Sequence, residues 1–529
     1  MIGQTVLCYC CIINRAIRNI DRWVTGSNST TLLLLVCSSI SISQEVLTDR
    51  DSYRNMARTV LDGELSVRRG TASLLAPARL TPRESKPLSD IDDQAVLRCY
   101  TTMIHLYRGH PSKRFIDPAA AVRAALAEAL VHYYPLAGRL RAEAGGKLLV
   151  DCAGQGIVFA EADANIAVDD LGDVRYPPFP RSEKFIYDDH VYRAPPAGVP
   201  LSLPAIIDKP LMFVQVTRLK CGGFTVSQQN AHCICDGPGL AQFWKAVGEL
   251  ARGAGTPSVP PVWAREIINA RLPPRPSFAH HEYREPADGR DRFESTPPDD
   301  MARVQFSFGP DAIAALRGRL ALGAASASQL DLVVACVWRS RTAALGYEPG
   351  DEVRLMMAVN ARGRRTDAFG GEIPSGYYGN AFVFVVARCA AGELCGRGLG
   401  YAVELIREAK ARVTYEYMRS VADLMVLEGR PVIARTRSFG VSDVSHAGFD
   451  EAEFGWGKPV YAGVIADAHR GGASFLMRGK NDGGEDETFV GIYLPGGCTA
   501  RYRMEVEALT TAKNLEEASS APLALRARY

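Results

Sequence analysis

The stretch "LMFVQVTRLKCGGFTVSQQNAHCICDGPG", residues 211–239, carries the signals from which the fold is predicted. Its apolar runs at 211–219 and 224–232 are separated by a Cys-Gly-Gly turn, which is typical of two neighbouring strands. The segment "GLAQFWKAVGELARG", residues 239–253, has apolar residues at helical spacing and predicts an amphipathic helix. A strand, a short polar turn and a helix therefore meet at residues 232–237.

Strand and helix signals of the same kind continue on both sides of this stretch, without the regular alternation of a βαβ fold. We expect a helix from Pro118 that ends near Tyr134, because Pro135 disfavours helical backbone in the residue before it. The later sequence predicts one long helix over residues 399–426 and short strands towards the end. We therefore predict the α/β class, with mixed β-sheets in two halves of similar size.

Prolines are concentrated between residues 257 and 276, which marks a linker between the halves. The first 55 residues are rich in cysteine and serine and show no clear period, so we expect a disordered extension and a folded part that begins near Met56. The predicted organisation is an extension at 1–55, an N-terminal domain at 56–256, a crossover linker at 257–285 and a C-terminal domain at 286–529.

The composition is that of a globular protein that handles small molecules. Of the 529 residues, 47% are hydrophobic and 23% are charged, and the net charge of +2 does not point to nucleic acid or an acidic membrane surface as a partner. The nearest approach to a membrane span, residues 31–43, is shorter than the ~18 apolar residues required. Thirteen dispersed cysteines are typical of reduced intracellular thiols, so we expect a cytoplasmic protein.

A zinc site and a thiol nucleophile are two possible interpretations of the turn after the second strand. His232, Cys233 and Cys235 have no second ligand pair at the spacing of a zinc site, so no metal is predicted. A dyad of His232 with Cys233 is disfavoured, because neighbouring side chains on a strand point to opposite faces. We interpret both cysteines as small packing residues.

His232 is the remaining candidate, as a catalytic base at the end of a strand. A neutral imidazole can accept a proton from a hydroxyl or an amine near pH 7. Asp236 has two possible roles: it orients the imidazole directly, or it caps the helix that starts at Gly237. A lone His-x-x-x-Asp pattern is common by chance in a chain of this length, so the spacing alone does not establish catalysis.

Two motifs more than two hundred residues apart give the chain a family resemblance. His232, Asp236 and Gly237 match the His-x-x-x-Asp-Gly motif of the plant BAHD acyltransferases. The family's Asp-Phe-Gly-Trp-Gly motif is matched by Phe454, Gly455, Trp456 and Gly457. The resemblance runs from about residue 56 to past residue 500 and includes "YYPLAGRLR" (133–141) and "VNARGR" (359–364). The sequence of these motifs is most similar to that of the alcohol acyltransferase branch, which includes benzyl alcohol O-benzoyltransferases.

The resemblance implies a fold like that of chloramphenicol acetyltransferase, with an active-site channel at the interface of two domains. It also implies acyl-CoA as a co-substrate without any permanently bound cofactor, an alcohol or amine acceptor of plant specialised metabolism, and a monomeric enzyme. By the same resemblance, His232 is the general base of a direct attack without an acyl-enzyme. Asp236 and Gly237 support the site, and residues 454–457 form a turn on the coenzyme A side.

Glu453 departs from the family pattern, because it stands where the family has aspartate. The resemblance implies a pair between this acidic position and Arg362, and the extra methylene of glutamate would shift that pair or the turn. Two alternatives to a fully active transferase stay open. One is a ligand-binding or regulatory protein that is catalytically weakened by Glu453, and the other is an acyl-CoA thioesterase, in which water replaces the acceptor.

Overall fold

The computed structural model describes residues 65–172, 182–187, 206–286, 289, 291–320, 327–363, 373–465, 473–481 and 483–511. These residues all belong to one compact unit, which begins at Leu65. The extension predicted for residues 1–55 lies outside the described residues.

Sixteen strands and eight α-helices lie within the described residues. The strands before the proline-rich stretch are β1 (Val67–Arg69), β2 (Ser73–Leu75), β3 (Ser85–Pro87), β4 (Tyr100–Tyr107), β5 (Arg139–Ala142), β6 (Leu148–Asp151), β7 (Ile157–Ala164), β8 (Met212–Arg218) and β9 (Phe224–Ala231). Those after it are β10 (Met301–Phe308), β11 (Glu352–Asn360), β12 (Phe382–Ala390), β13 (Ser438–Asp443), β14 (Tyr461–Val464), β15 (Ala473–Lys480) and β16 (Asp486–Pro495). The helices are α1 (Pro118–His132), α2 (Gly237–Ala251), α3 (Pro310–Arg317), α4 (Gln329–Leu345), α5 (Ala391–Gly396), α6 (Leu399–Ala411), α7 (Tyr415–Leu427) and α8 (Thr499–Thr510).

The first sheet has the strand order β1-β7-β8-β9-β4-β14, with β2 also paired to β7. β9 lies between two antiparallel partners, β8 and β4, and its last residue Ala231 is opposite Tyr100. β14 comes from the second half of the chain and pairs antiparallel with β4. Because both edges of β9 are hydrogen-bonded, its end is a fixed point from which the turn at His232 leaves the sheet.

The second sheet has the order β10-β16-β15-β13-β11-β12, and a small third sheet has the order β3-β6-β5. β11 pairs antiparallel with β12 but parallel with β13, and β13 pairs parallel with β15. The first sheet is mixed as well, because β7 and β8 are parallel. The predicted α/β class with two mixed sheets is therefore confirmed.

The helix predicted from Pro118 is present as α1 and ends at His132. The single helix predicted over 399–426 is wrong, because the chain forms α6 and α7 with a break at 412–414. Thr414 is in an extended conformation and its hydroxyl accepts the backbone N–H of Tyr417 at 3.1 Å, so it caps a new helix. The helical spacing of apolar residues persists across this break, which is why the pattern alone does not show it.

Three further differences from the sequence analysis concern β4 and the C-terminal elements. β4 was not predicted, although it is one of the central strands of the first sheet and its last six residues are all buried. The short strands expected near the end are the long strands β15 and β16, of eight and ten residues, and helix α8 after them was not predicted. A strand buried on both faces lacks the alternating pattern on which strand prediction depends.

Each of the two large sheets has its own hydrophobic core. The core of the second sheet includes side chains of α4, α6 and α7. The core of the first sheet includes α1 and α2, and it also takes side chains from the second half of the chain: Tyr378, Phe382, Phe449, Phe454 and Trp456. Segments of the second half therefore lie against the helix that follows His232. None of the helices in the described ranges combines the length and the apolarity needed to cross a membrane.

Candidate active site

His232 is the first residue after β9, and its backbone N–H donates to the carbonyl oxygen of Cys99 at 2.8 Å. Its side chain is half-buried, and its ring centroid lies 6.0 Å from that of Phe382, which begins β12 in the second sheet. The imidazole is therefore held by the first sheet and faces an aromatic residue of the second. The predicted position of His232 at the end of a strand is confirmed.

Burial lowers the pKa of the His232 imidazole below its ordinary value of 6.5, although the charge of Asp236, backbone carbonyl groups and the side chain of Asn380 oppose the shift. The ring is therefore neutral at pH 7, which is the form that can accept a proton. The ring atom Nδ1 is buried and makes no hydrogen bond with any described residue.

Asp236 caps α2, because its Oδ1 accepts the backbone N–H of Gly239 at 2.9 Å. Its two carboxylate oxygens also accept from the guanidinium of Arg362, at 2.6 and 3.0 Å, and Oδ2 accepts the N–H of Ala381 at 2.9 Å. These bonds engage both oxygens and none of them goes to the imidazole. Of the two roles left open for Asp236, the helix cap is the one that the geometry supports.

Gly237 is the first residue of α2. A Cβ added to it would lie at ordinary contact distance from the side chains of Phe449 and Ala447. Gly239, two residues later, has a stricter requirement, because an added Cβ would overlap the backbone of Tyr378. The first turn of α2 therefore packs directly on the segment that leads to β12. This close approach fixes the cap, and with it the loop at 232–236, against the second half of the chain.

The ion pair expected between Glu453 and Arg362 is wrong. Arg362 binds Asp236 and donates to the carbonyl oxygen of Gly379 at 2.7 Å. Glu453 instead pairs with Arg252 at the end of α2, with 3.1 Å between the guanidinium and Oε2. Arg252 was not identified from the sequence, because nothing in a lone arginine after a helix indicates a partner two hundred residues away.

Glu453 organises the turn at 454–457 by accepting backbone N–H groups. Its Oε1 accepts from Gly455 and Gly457, the latter at 2.9 Å. Both glycines have positive φ angles, 98° and 90°, which residues other than glycine rarely adopt. The extra methylene of glutamate is thus accommodated, because the carboxylate still reaches the turn that it precedes.

The aromatic residues of the turn are buried against the first sheet. Phe454 packs edge-on against Tyr107 and Trp244, with ring centroids 5.3 and 6.1 Å apart. Trp456 packs edge-on against Phe224 at 5.2 Å, and the ammonium of Lys113 lies 5.4 Å from the centre of its ring. Residues 454–457 are therefore a structural anchor of the second half of the chain on the first sheet.

Helix α2 joins the two motifs and also keeps them apart. Asp236 is at its beginning, whereas Gly248 near its end approaches Glu453 so closely that an added Cβ would lie 2.5 Å from the carbonyl oxygen. Eleven residues separate Gly237 from Gly248, which corresponds to about 16 Å along a helix. The Phe-Gly-Trp-Gly turn is thus a second layer behind the site and does not contact His232.

A buried polar cluster beneath the histidine loop was missed by sequence reasoning. Asp92 is fully buried and accepts from the hydroxyl of Ser89 at 2.6 Å, from the guanidinium of Arg265 at 3.2 Å, and from the backbone and side-chain N–H groups of Asn380 at 2.9 and 2.8 Å. Asn380 also donates to the carbonyl oxygen of His232 at 2.8 Å. The only signal was that Asp92 and Asn380 lie in segments that resemble the family.

Arg265 lies in the predicted crossover linker and is almost completely buried. It donates to the carbonyl oxygen of Ile234 at 2.7 Å, and its guanidinium carbon lies 4.3 Å from the ring centre of Trp263. Burial is the largest influence and disfavours the charged guanidinium, but Asp92, Tyr377 and Tyr378 together outweigh it and raise the pKa of Arg265. The cluster therefore links the first half, the linker and the second half to the histidine loop.

Cys233 and Cys235 are buried free thiols. Burial raises the pKa of Cys235 to about 12 and that of Cys233 well above its ordinary value, so neither is a thiolate at neutral pH. Their side chains belong to the core of the first sheet, as the packing interpretation predicts. Within the described residues, no group of three or more histidine, cysteine, aspartate or glutamate side chains is arranged to hold a metal ion.

A model of the Transferase family matches residues 65–503 of the chain. Benzyl alcohol O-benzoyltransferase of Petunia hybrida is 45% identical over 447 residues, which cover 84% of this chain and 94% of that protein. Alcohol acyl transferase 1 allele RGb of Malus domestica is 44% identical over 450 residues, with 84% and 95% covered. The alignment with these two proteins extends over nearly their whole length.

Solved structures with the same fold have much lower sequence identity. Vinorine synthase superposes with a TM-score of 0.63 at 20% identity, over 85% of this chain and 99% of that chain. TRI101 of F. graminearum, complexed with coenzyme A and T-2 mycotoxin, superposes with a TM-score of 0.60 at 17% identity, over 80% and 97% of the two chains. At these identities the likeness concerns the fold.

Proposed function

This chain belongs to the Transferase family of BAHD acyltransferases, and we propose that it transfers an acyl group from an acyl-CoA thioester to an alcohol, with His232 as the general base. The geometry of His232 carries this proposal. Its imidazole is neutral, partly accessible and held at the junction of the two sheets, where donor and acceptor can meet.

The reaction proceeds by direct attack. His232 accepts the hydroxyl proton of the acceptor while the oxygen forms a bond to the thioester carbonyl carbon. The tetrahedral oxyanion collapses, the carbon–sulfur bond breaks, and the leaving thiolate takes the proton back from the imidazolium. No acyl-enzyme is needed, and the raised pKa values of Cys233 and Cys235 disfavour one at either thiol. Holding both substrates in one site supplies much of the acceleration.

The relatives suggest the classes of the two substrates. The protein from Petunia hybrida is named for transfer of benzoyl to benzyl alcohol, and the protein from Malus domestica for acyl transfer to alcohols. We assign a primary alcohol as acceptor, with benzyl alcohol as the first compound to test and amines as the alternative class. Acyl-CoA is a co-substrate in this proposal, which the coenzyme A complex of the TRI101 structure supports.

We propose a cytoplasmic monomer, with coenzyme A and acceptor entering a channel between the predicted domains at 56–256 and 286–529. The proposed channel would open beside His232, because this residue faces Phe382 of the second sheet. The turn at 454–457 would support the coenzyme A side from behind, since it fixes the end of α2.

The weakened-protein alternative loses its main support at Glu453. This side chain accepts two N–H groups of the turn and pairs with Arg252, so the glutamate holds the turn in place instead of disrupting it. Thioester hydrolysis differs from transfer only in the nucleophile and is therefore an outcome that the assay must separate.

A crossed panel of acyl-CoA donors against aromatic alcohols, aliphatic alcohols and polyamines tests the proposal. Ester formation from at least one donor and alcohol, with little free coenzyme A released when the alcohol is left out, is the expected result. Release of coenzyme A that is equally fast without any acceptor would favour hydrolysis. Amide formation with polyamines but no ester with any alcohol would contradict the assigned acceptor class.

A further inference from the structure

Asn380 is the residue next to the site whose contacts are not explained by packing alone. Its side-chain nitrogen donates to two acceptors, Oδ1 of Asp92 and the carbonyl oxygen of His232, both at 2.8 Å. Because a carboxylate and a carbonyl can only accept, the amide orientation follows from chemistry, with nitrogen towards these two groups. The amide oxygen Oδ1 therefore points away from them, and it is buried without a partner among the described residues.

One counterpart to this orphan acceptor is the buried imidazole of His232, because the side chain of Asn380 raises the pKa of that ring. Nδ1 of His232 is also buried and has no hydrogen-bond partner in the part of the chain that the structure describes. The side chain of Asn380 donates a hydrogen bond to the main-chain carbonyl oxygen of His232, so its amide group lies beside the residue that carries the imidazole. Buried polar atoms without partners are rare, and hydrogen bonds at catalytic groups are often long or poorly aligned before substrate binds.

We propose that Asn380 is the positioning residue of His232: its Nδ2 holds the histidine main chain, and its Oδ1 accepts the Nδ1–H of the imidazole in the complex with substrates. This hydrogen bond selects the tautomer in which Nε2 is unprotonated and free to act as the base. The inference rests on the proposed role of His232. It assigns to Asn380 the orienting role that the sequence left open for Asp236.

The anchoring of Asn380 supports this role. Its backbone N–H also binds Asp92, and the next residue, Ala381, donates to Asp236, so the main chain at 380–381 is held at two points. Asn380 is fully buried, and rotation of its side chain would break both bonds of Nδ2. A side chain fixed in this way can hold an imidazole in one orientation at little entropic cost.

The pH profile gives a readout that a purely structural role would not move. Removing a group that favours the protonated imidazole lowers the pKa of His232, so the acidic limb of the kcat profile, which reports the complex with substrates, shifts to lower pH. Asn380→Ala also removes one hydrogen bond from the carboxylate of Asp92, which keeps its bonds to Ser89, Arg265 and the backbone of residue 380. The other charged or titratable groups around the loop keep their bonds: Cys235, Asp236, Arg265 and Arg362.

The test compares Asn380→Ala with Ser420→Ala. Ser420 is equally buried and accepts the N–H groups of Ser277 and Phe278, far along the chain from the histidine loop. Both variants are expected to lower the melting temperature. Only Asn380→Ala is expected to lower kcat, by roughly 10- to 100-fold with a smaller change in KM, and to shift the acidic limb. Equal kcat values and equal pH profiles in the two variants would overturn the proposal.

A measurement on the unmodified protein keeps the proposal testable where Asn380→Ala fails to fold. Imidazole ¹⁵N NMR, with His232 assigned by difference against His232→Gln, is expected to show the proton on Nδ1. A proton on Nε2 would overturn the proposal. The activity of His232→Ala tests the role of the histidine as base. If His232→Ala loses activity while Asn380→Ala keeps normal kinetics, only the positioning role of Asn380 is refuted.

Discussion

His232 and Asp236 lie four positions apart in one motif, yet they have different surroundings. Asp236 uses both carboxylate oxygens to hold Gly239, Arg362 and Ala381, and none of these bonds goes to the imidazole. The aspartate therefore shapes the loop, and the histidine is left available for chemistry. This division follows from the cap position of Asp236 at the start of α2.

Asp236→Asn is predicted to cost stability more than catalysis. Asparagine keeps an oxygen for the helix cap but loses the charge that neutralises Arg362, whose side chain is mostly buried. We expect the free energy of unfolding to fall by about 2–4 kcal/mol and kcat to fall by less than tenfold, measured below the unfolding transition. An unchanged melting temperature with a large loss of kcat would instead assign Asp236 a direct role at the imidazole.

Glu453→Ala is predicted to loosen the turn at 454–457. It removes the acceptor of two backbone N–H groups, and we expect the free energy of unfolding to fall by about 1–3 kcal/mol in urea titrations. Arg252→Ala is the matched control, because it removes the other side of a half-exposed pair and should cost less than about 1 kcal/mol. A larger effect for Arg252→Ala would show that the pair, and not the turn, is what Glu453 contributes.

Helix α2 and strand β4 are the elements that connect the parts of the site. α2 carries Asp236 at its beginning and meets Glu453 at Gly248, so displacement of either motif is transmitted along one rigid helix. β4 lies between β9, which leads to His232, and β14, which follows the Phe-Gly-Trp-Gly turn. The motifs are thus coupled through neighbouring main-chain elements and not through direct contact.

His105, within β4, makes this part of the fold sensitive to acid. It is fully buried beside Trp244, and burial lowers its pKa from 6.5 to about 4. The unfolded chain therefore binds more protons than the folded chain between these two pH values. Stability from this residue is complete above pH 6.5 and is lost as the pH falls towards 4, by at most about 1.4 kcal/mol per pH unit.

His105→Phe is predicted to reduce that pH dependence. Phenylalanine keeps an aromatic ring in the site but cannot bind a proton, so the slope of unfolding free energy against pH between 6.5 and 4 should become smaller. The control is His446→Gln, because His446 is exposed and its replacement should leave the slope unchanged. Equal slopes for wild type and His105→Phe would contradict the assigned protonation change.

The two halves of the chain are interlocked around the site. β14 from the second half completes the first sheet, and Tyr378, Phe454 and Trp456 enter the core of the first half. In the opposite direction, Asp92 of the first half binds Asn380 of the second. The histidine loop is therefore held by residues from both halves and from the linker, which gives one site from distant parts of the sequence.

How much of this is predictable from sequence depends on the range of the interaction. The strand before His232, helix α2 and its cap follow from local pattern, because apolar spacing and capping chemistry act over a few residues. The partners of Asp236, Glu453 and Asn380 could not be predicted, since Arg362, Arg252 and Asp92 become neighbours only when the sheets assemble. The wrong pair of Glu453 with Arg362 came from transferring a family contact without the geometry that decides it.

The turnover of His232→Ala with benzoyl-CoA and benzyl alcohol, or with the best pair from the substrate panel, tests the central claim most directly. Loss of the base is predicted to lower kcat by roughly 10²–10⁴-fold while the melting temperature stays close to that of wild type. Cys235→Ala, which changes a packing residue of the same loop, is predicted to retain kcat within a few-fold. A folded His232→Ala protein with near wild-type turnover would contradict the assignment of His232 as the base.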